Sequence, residues 1–317
     1  MTKKSYTYQI IILSLLSFSM TLGKHFIFDF GGVLVTTNKY KSFQHLGLTN
    51  LAECTIRLGL NPFKLNQYIT TTLFATLDSI EKEYTLRTIN PYYPAYDEKG
   101  NQLPLLMCTW LQGSMTCSEI RCLINQAIDE HPQWFKCNAE QRMIKNILRM
   151  IFTPEYFIDS RTISYEGIEF IKKCKLKGHT IYGLSNWDTE SFVLLKAKYP
   201  ELFDLFDGIV ISGEINANKP HETIYQTLLQ RYTLQPQDCW FIDDQKENII
   251  AAQKLNINAV MYISSFKQVI EDIKIAYSKS VIRRENLNNN GNIETNTNTI
   301  NNIIIDGENI SLTDSTI

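Results

Sequence analysis

The sequence predicts an α/β fold, a parallel sheet covered by helices on both faces, with a mostly helical domain inserted after the first strand. Three observations carry that expectation. From Tyr165 onward, apolar strand-like runs alternate with amphipathic helical segments, the pattern of a doubly covered parallel sheet. A lone apolar run at His25–Phe28 precedes them, separated by a long stretch in which apolar residues recur at three- and four-residue spacing. Finally, a chain of 317 residues with 44% apolar content can bury a sizeable core, as one large or two medium domains.

The elements follow in chain order. Lys3 and Lys4 precede an apolar stretch from Tyr8 to Leu22, which falls short of the ~20 residues a membrane span needs. With Gly23 after it, residues 1–23 have the layout of a signal peptide, so the protein is expected to be exported to a periplasm or medium. Cleavage there would leave no stable membrane insertion. The alternatives are an uncleaved membrane anchor, or a helix resting on a cytoplasmic protein. The core is expected at 24–37 and 161–280, with the helical insert at 38–160 between them. Inside the insert, helical periodicity is clearest at 105–111, 118–128 and 139–151, and Asn90–Pro94 and Asp97–Asn101 read as loops.

Gly167 to Lys177 forms an amphipathic helix stopped by Gly178, and Thr180–Leu184 is the next strand. Asp188 caps a helix that ends before Pro200, and strands follow at 208–212, 239–243 and 259–263. Ten asparagines between Asn286 and Asn309 make residues 281–317 a polar low-complexity tail. Seven cysteines leave at least one thiol unpaired in a monomer, and no CxxC spacing suggests zinc. In an exported protein the group from Cys108 to Cys137 has room for one or two disulfides; otherwise these are small buried apolar residues. A net charge of −2 gives no basic footprint, which argues against nucleic-acid partners.

The chemistry lies at the ends of the strands, where open α/β sheets place their sites. Asp29 follows an apolar strand and precedes Gly31-Gly32, so its carboxylate sits on a tight turn beside backbone N–H groups able to hold an anion. Such a carboxylate can attack phosphorus and form an acyl phosphate. Alone, a strand-end aspartate more often caps a turn. Ser185-Asn186 closes the second strand with groups that can hold a phosphoryl oxygen. Lys219, before Pro220, offers a point charge to a nucleophile and a transferring group. Asp243 and Asp244 end a third apolar strand, and two adjacent carboxylates repel each other unless a cation or protons compensate.

Phe26–Val33 with Asp29, Ile181–Asn186, Lys219-Pro220 and Trp240–Asn248, in this order, resemble the haloacid dehalogenase (HAD) superfamily, whose members are mostly magnesium-dependent phosphohydrolases. The resemblance implies a HAD-like Rossmannoid core with a cap between its first two motifs. It implies Asp29 as nucleophile and Lys219 as its catalytic partner. Phe30, Gly31, Ser185, Asn186 and Lys219 would surround the substrate phosphate. Mg2+ would be held by Asp29, the Gly31 carbonyl and Asp244, with Asp243 beside them and Asn248 in support. The partner is then a small phosphorylated substrate. One position departs from the pattern: many of the family's phosphatases carry a second Asp, the general acid, where Gly31 stands. A metal-free carbon–halogen hydrolase and a catalytically weak binding protein are the alternative readings.

Overall fold

The computed structural model describes residues 24–84, 92–97 and 99–276. The expected signal peptide and asparagine-rich tail lie outside the described residues. In chain order the structure runs β1 (His25–Phe28), β2 (Val35–Thr37), α1 (Lys39–Leu46), α2 (Leu48–Arg57), α3 (Leu65–Glu83), α4 (Leu105–Leu111), α5 (Cys117–Glu130), α6 (Asn138–Ile151) and α7 (Pro154–Asp159). It continues with β3 (Arg161–Ile163), α8 (Tyr165–Leu176), β4 (Thr180–Ser185), α9 (Thr189–Lys198), α10 (Pro200–Phe203), β5 (Gly208–Ile211), α11 (Ser212–Ile215), α12 (Glu222–Arg231), β6 (Cys239–Asp243), α13 (Lys246–Lys254) and β7 (Asn258–Met261). A last helix, α14, covers 266–276.

Five strands form one parallel sheet in the order β5-β4-β1-β6-β7. The central strand, β1, is buried on both faces, as parallel strands under helical layers are. Phe26 and Phe28 face a cluster with Phe170 and Ile171 of α8 and Phe266 and Val269 of α14. Ile27 faces the opposite cluster, with Tyr225 and Leu228 of α12 and Ala252 of α13. Capping sets where these helices begin: the Ser164 hydroxyl accepts from Gly167 N at the start of α8, and the Asp188 carboxylate accepts from Ser191 N at the start of α9.

One feature was not visible in the sequence pattern. The chain leaves and re-enters the core through a short antiparallel neck, in which β2 pairs with β3. Runs of three residues are too short to show periodicity. The insert has its own apolar core, gathered from Leu77 and Ile80 of α3, Leu106 and Trp110 of α4, Ile120 and Ile124 of α5, and Ile144 and Leu148 of α6. The α7 helix packs across both bodies: Phe157 touches Trp110 of the insert and Trp187 of the core, with ring centroids 5.4 and 5.8 Å apart. All seven cysteines carry free thiols, so the disulfides considered for the Cys108–Cys137 group are not formed. Cys108 and Cys117 are instead buried among insert side chains. Among the described residues, no helix is long and apolar enough to cross a membrane.

Candidate active site

Register brings the expected residues together. Phe28 pairs with both Gly183 and Ile242, so the residues that follow, Asp29 and Asp243, end their strands at one level, with Ser185 one residue further along β4. Asp29 N donates to Ile242 O at 2.9 Å, tying the first turn to β6. That turn closes on itself, with Leu34 N and Val35 N donating to Phe30 O at 2.9 and 2.7 Å. Gly32 adopts a φ of +76°, and a Cβ there would run into the Asp244 carboxylate. Glycine is therefore required at that position by both the backbone and the close approach.

Within this frame Asp29 is 5% exposed and its Oδ1 accepts two hydrogen bonds, from Ser185 Oγ at 2.6 Å and from the Lys219 ammonium at 2.8 Å. Lys219 is fully enclosed. Its ammonium also donates to Asp243 Oδ2 at 2.7 Å and to Leu184 O at 2.9 Å. Asp243 is saturated by the protein, because Gln245 N and the Asn248 side-chain amide donate to it as well, at 2.8 Å and at 3.0 to 3.1 Å. Asp244 differs. Its Oδ1 is buried and has no hydrogen-bond partner.

Asp29, Asp243 and Asp244 each present an oxygen within 4.8 Å of the others, and one ammonium cannot neutralise three carboxylates at that spacing. The strain shows in their acidity. Burial pushes the Asp29 carboxyl up to about 6, against the opposing pull of Lys219. Burial, reinforced by the charges of Asp29 and Asp243, pushes Asp244 up to about 8. For Lys219 burial acts to lower the pKa, but the two carboxylates it touches outweigh it and hold the ammonium above the usual lysine range. The site as built is short of positive charge. An all-oxygen donor set with one uncommitted buried oxygen suits a hard divalent cation.

Two of the expected residues commit their side chains to other partners. Phe30 turns its side chain away from the site into the core, where its ring lies 5.2 to 5.5 Å from those of Phe203, Phe206 and Phe192. Gly183 makes room for it, since a Cβ there would stand 2.7 Å from the Phe30 ring. Asn186 spends its amide on the backbone of Lys219, accepting from Lys219 N at 2.7 Å and donating to Lys219 O at 3.0 Å. It aims the lysine. Gly31 borders the site, and a Cβ built on it would meet nothing within 4 Å.

The neighbouring Asn218 was missed. It is fully buried, and its amide donates to Tyr93 O at 2.8 Å and Cys108 O at 2.9 Å, both in the insert. Its place before Lys219 was the one sequence signal available.

This constellation gathers three carboxylates, a serine and an enclosed lysine at the ends of a parallel sheet. The model of the haloacid dehalogenase-like hydrolase family matches residues 24–256, and the chain belongs to that family. Over 101 residues it is 29% identical to a sesquiterpene phosphatase of Aspergillus oryzae, covering 32% of this chain and 51% of that protein. Over 82 residues it is 29% identical to a drimenol cyclase of Aspergillus calidoustus, covering 26% of this chain and 15% of the other. The chain thus spans about half or less of the length of these relatives. Among solved structures it is similar to a HAD family enzyme of Bacteroides thetaiotaomicron, with 16% identity, a TM-score of 0.48, and coverage of 76% of this chain and 94% of that one. A HAD-like family hydrolase of Porphyromonas gingivalis matches at 19% identity and a TM-score of 0.44, over 76% of this chain and 91% of that one.

Proposed function

We propose that the protein is a Mg2+-dependent phosphomonoester hydrolase that works through an aspartyl phosphate on Asp29. The observation that carries this reading is the charge arrangement. Asp29 is gripped by Ser185 and Lys219 while two further carboxylates stand within 4.8 Å, one with an unpartnered buried oxygen. A carbon–halogen hydrolase without metal would have to bury that excess negative charge for no purpose.

In this reading Asp29 and Asp244 would hold Mg2+, with Asp243 beside them fixing Lys219, and the ion would supply positive charge to the phosphoryl oxygens. With Oδ1 fixed by Ser185 and Lys219, Asp29 Oδ2 is the attacking atom. It forms a bond to phosphorus as the bond from phosphorus to the leaving oxygen breaks, and Lys219 compensates charge on the transferring group. Water then cleaves the acyl phosphate and releases inorganic phosphate. The similarity to a protein named as a sesquiterpene phosphatase supports a phosphate ester as the bond attacked. It does not carry over a leaving group, because the aligned part covers half of that protein.

The test is a screen of the purified protein against phosphorylated metabolites and an aryl phosphate, with and without magnesium. The expected result is turnover that chelation removes. Turnover of no phosphate ester, or turnover indifferent to chelators, would end the proposal.

A further inference from the structure

Lys219 is the pivot of the site, and its backbone is pinned from two sides. On the core side Asn186 brackets it, accepting from its N and donating to its O. On the other side the preceding residue, Asn218, reaches into the insert. Its amide nitrogen spans Tyr93 O at 2.8 Å and Cys108 O at 2.9 Å, two carbonyls on segments fifteen residues apart in the chain. The orientation of this amide is fixed by its neighbours, because the reverse would set its oxygen against both carbonyls. It is bought with a buried Oδ1 that has no partner. The same seam is closed by the Ser212 hydroxyl, which donates to Leu111 O, and by the rings of Tyr93 and His221, 4.3 Å apart. Only Asn218 lies next to a residue that touches the nucleophile.

We infer that Asn218 is a positioning residue that makes the placement of Lys219 depend on the seating of the insert residues 92–97 and 99–113. With the segment seated, both carbonyls hold Asn218, and the lysine backbone is fixed at a distance that lets its ammonium reach Asp29 and Asp243 together. With the segment lifted, the loop loses one of its two anchors, and the charge balance of the site loosens with it. Closure over a substrate and completion of the catalytic charge set are then one event, which deepens the phosphatase reading and rests on it only for the kinetic arm of the test.

Asn218→Leu keeps the volume and removes the donors, while Ser212→Ala removes the bond to Leu111 O, together with the one Ser212 Oγ accepts from Trp187 N, and makes no direct contact with the Lys219 loop. Two measurements separate coupling from ordinary docking. The first is the rate at which a small acylating reagent labels Lys219, read by mass spectrometry, which needs no turnover. The expected result is labelling at least tenfold faster in Asn218→Leu and unchanged in Ser212→Ala. The second is kinetic, with kcat expected to fall at least tenfold in Asn218→Leu at a KM within twofold, and to stay within twofold in Ser212→Ala. Wild-type labelling of Lys219 in Asn218→Leu overturns the inference whatever the kinetics show. A wild-type protein that turns over no phosphate ester sinks the phosphatase reading instead, and the labelling still decides the role of Asn218.

Discussion

The core and the insert contribute to the site in different chemical currencies. The core supplies side chains: Asp29, Ser185, Lys219, Asp243 and Asp244 all point from strand ends or adjoining loops into one small volume. At the seam the insert supplies mostly backbone, in the carbonyls of Tyr93, Cys108 and Leu111, which receive Asn218 and Ser212. Charge chemistry needs particular functional groups, so substitution in the core changes what the site can do. A seam made on carbonyls tolerates sequence change as long as the backbone path is kept. The insert is therefore free to vary its pocket while remaining docked over the same chemistry.

The sharpest test of that division is Asp29→Asn. It preserves shape and removes the attacking oxygen, so kcat should fall by about 10³-fold or more for every substrate alike. A loss confined to some substrates would mean that Asp29 serves recognition, and the division would break on the core side.

The second test uses acidity. The Asp29 and Asp244 carboxyls lie at about 6 and about 8, above the ordinary carboxylate range, chiefly because they are buried. A carboxyl whose folded pKa is raised favours the folded state while it is protonated, and that contribution is lost as pH rises from the unfolded value through the folded one. Metal-free protein should therefore lose stability between about pH 4 and pH 8. Magnesium, which replaces the protons, should raise Tm by several degrees at pH 8 and hardly at all at pH 5. In Asp244→Asn the metal-free protein should be the more stable of the two at pH 8, and most of the magnesium effect should vanish. A magnesium shift of equal size at both pH values would count against metal binding at these carboxylates.

The same contrast explains what could be read from the chain. The Asp29 turn and the Asp243-Asp244 pair were legible because each sets carboxylates against an apolar strand, and the Lys219-Pro220 loop because it falls in order between them. So was the alternation from Tyr165, because repeated burial leaves a period in the sequence. The neck of β2 and β3 was not, since three residues carry no period. The direction of the Phe30 side chain was hidden because it depends on Gly183, a residue more than 150 positions away that makes room for the ring. Asn218 escaped because its partners are carbonyls, which every residue type offers equally.

Gly31 offers a smaller and more selective effect. A Cβ at that position meets nothing within 4 Å, so Gly31→Asp should be accommodated without displacing a neighbour. If no carboxyl protonates the leaving group in the native site, rate should fall steeply with rising leaving-group pKa. The added aspartate should then flatten that plot by up to about 10²-fold at its poor-leaving-group end. A flat wild-type plot with chemistry rate-limiting would mean that another group already donates the proton, and the insert is where it would be sought.

The smallest effect sharpens the seam itself. Gly113, in the turn after α4, and Gly178, in the turn after α8, adopt nearly the same left-handed conformation, with φ of +73° and +80°. A Cβ on Gly178 meets nothing within 4 Å, whereas one on Gly113 would stand 2.5 Å from the carbonyl oxygen of Gly213 in the core. Gly178→Ala should thus cost only the left-handed strain, about 1 kcal/mol. Gly113→Ala carries the same strain and also forces the insert off the core. Urea unfolding should show the larger loss for Gly113→Ala, and hydrogen exchange should place the excess in the 105–113 segment. Equal losses would mean that the seam yields freely at this point, and that close backbone contact here adds nothing to the docking of the insert.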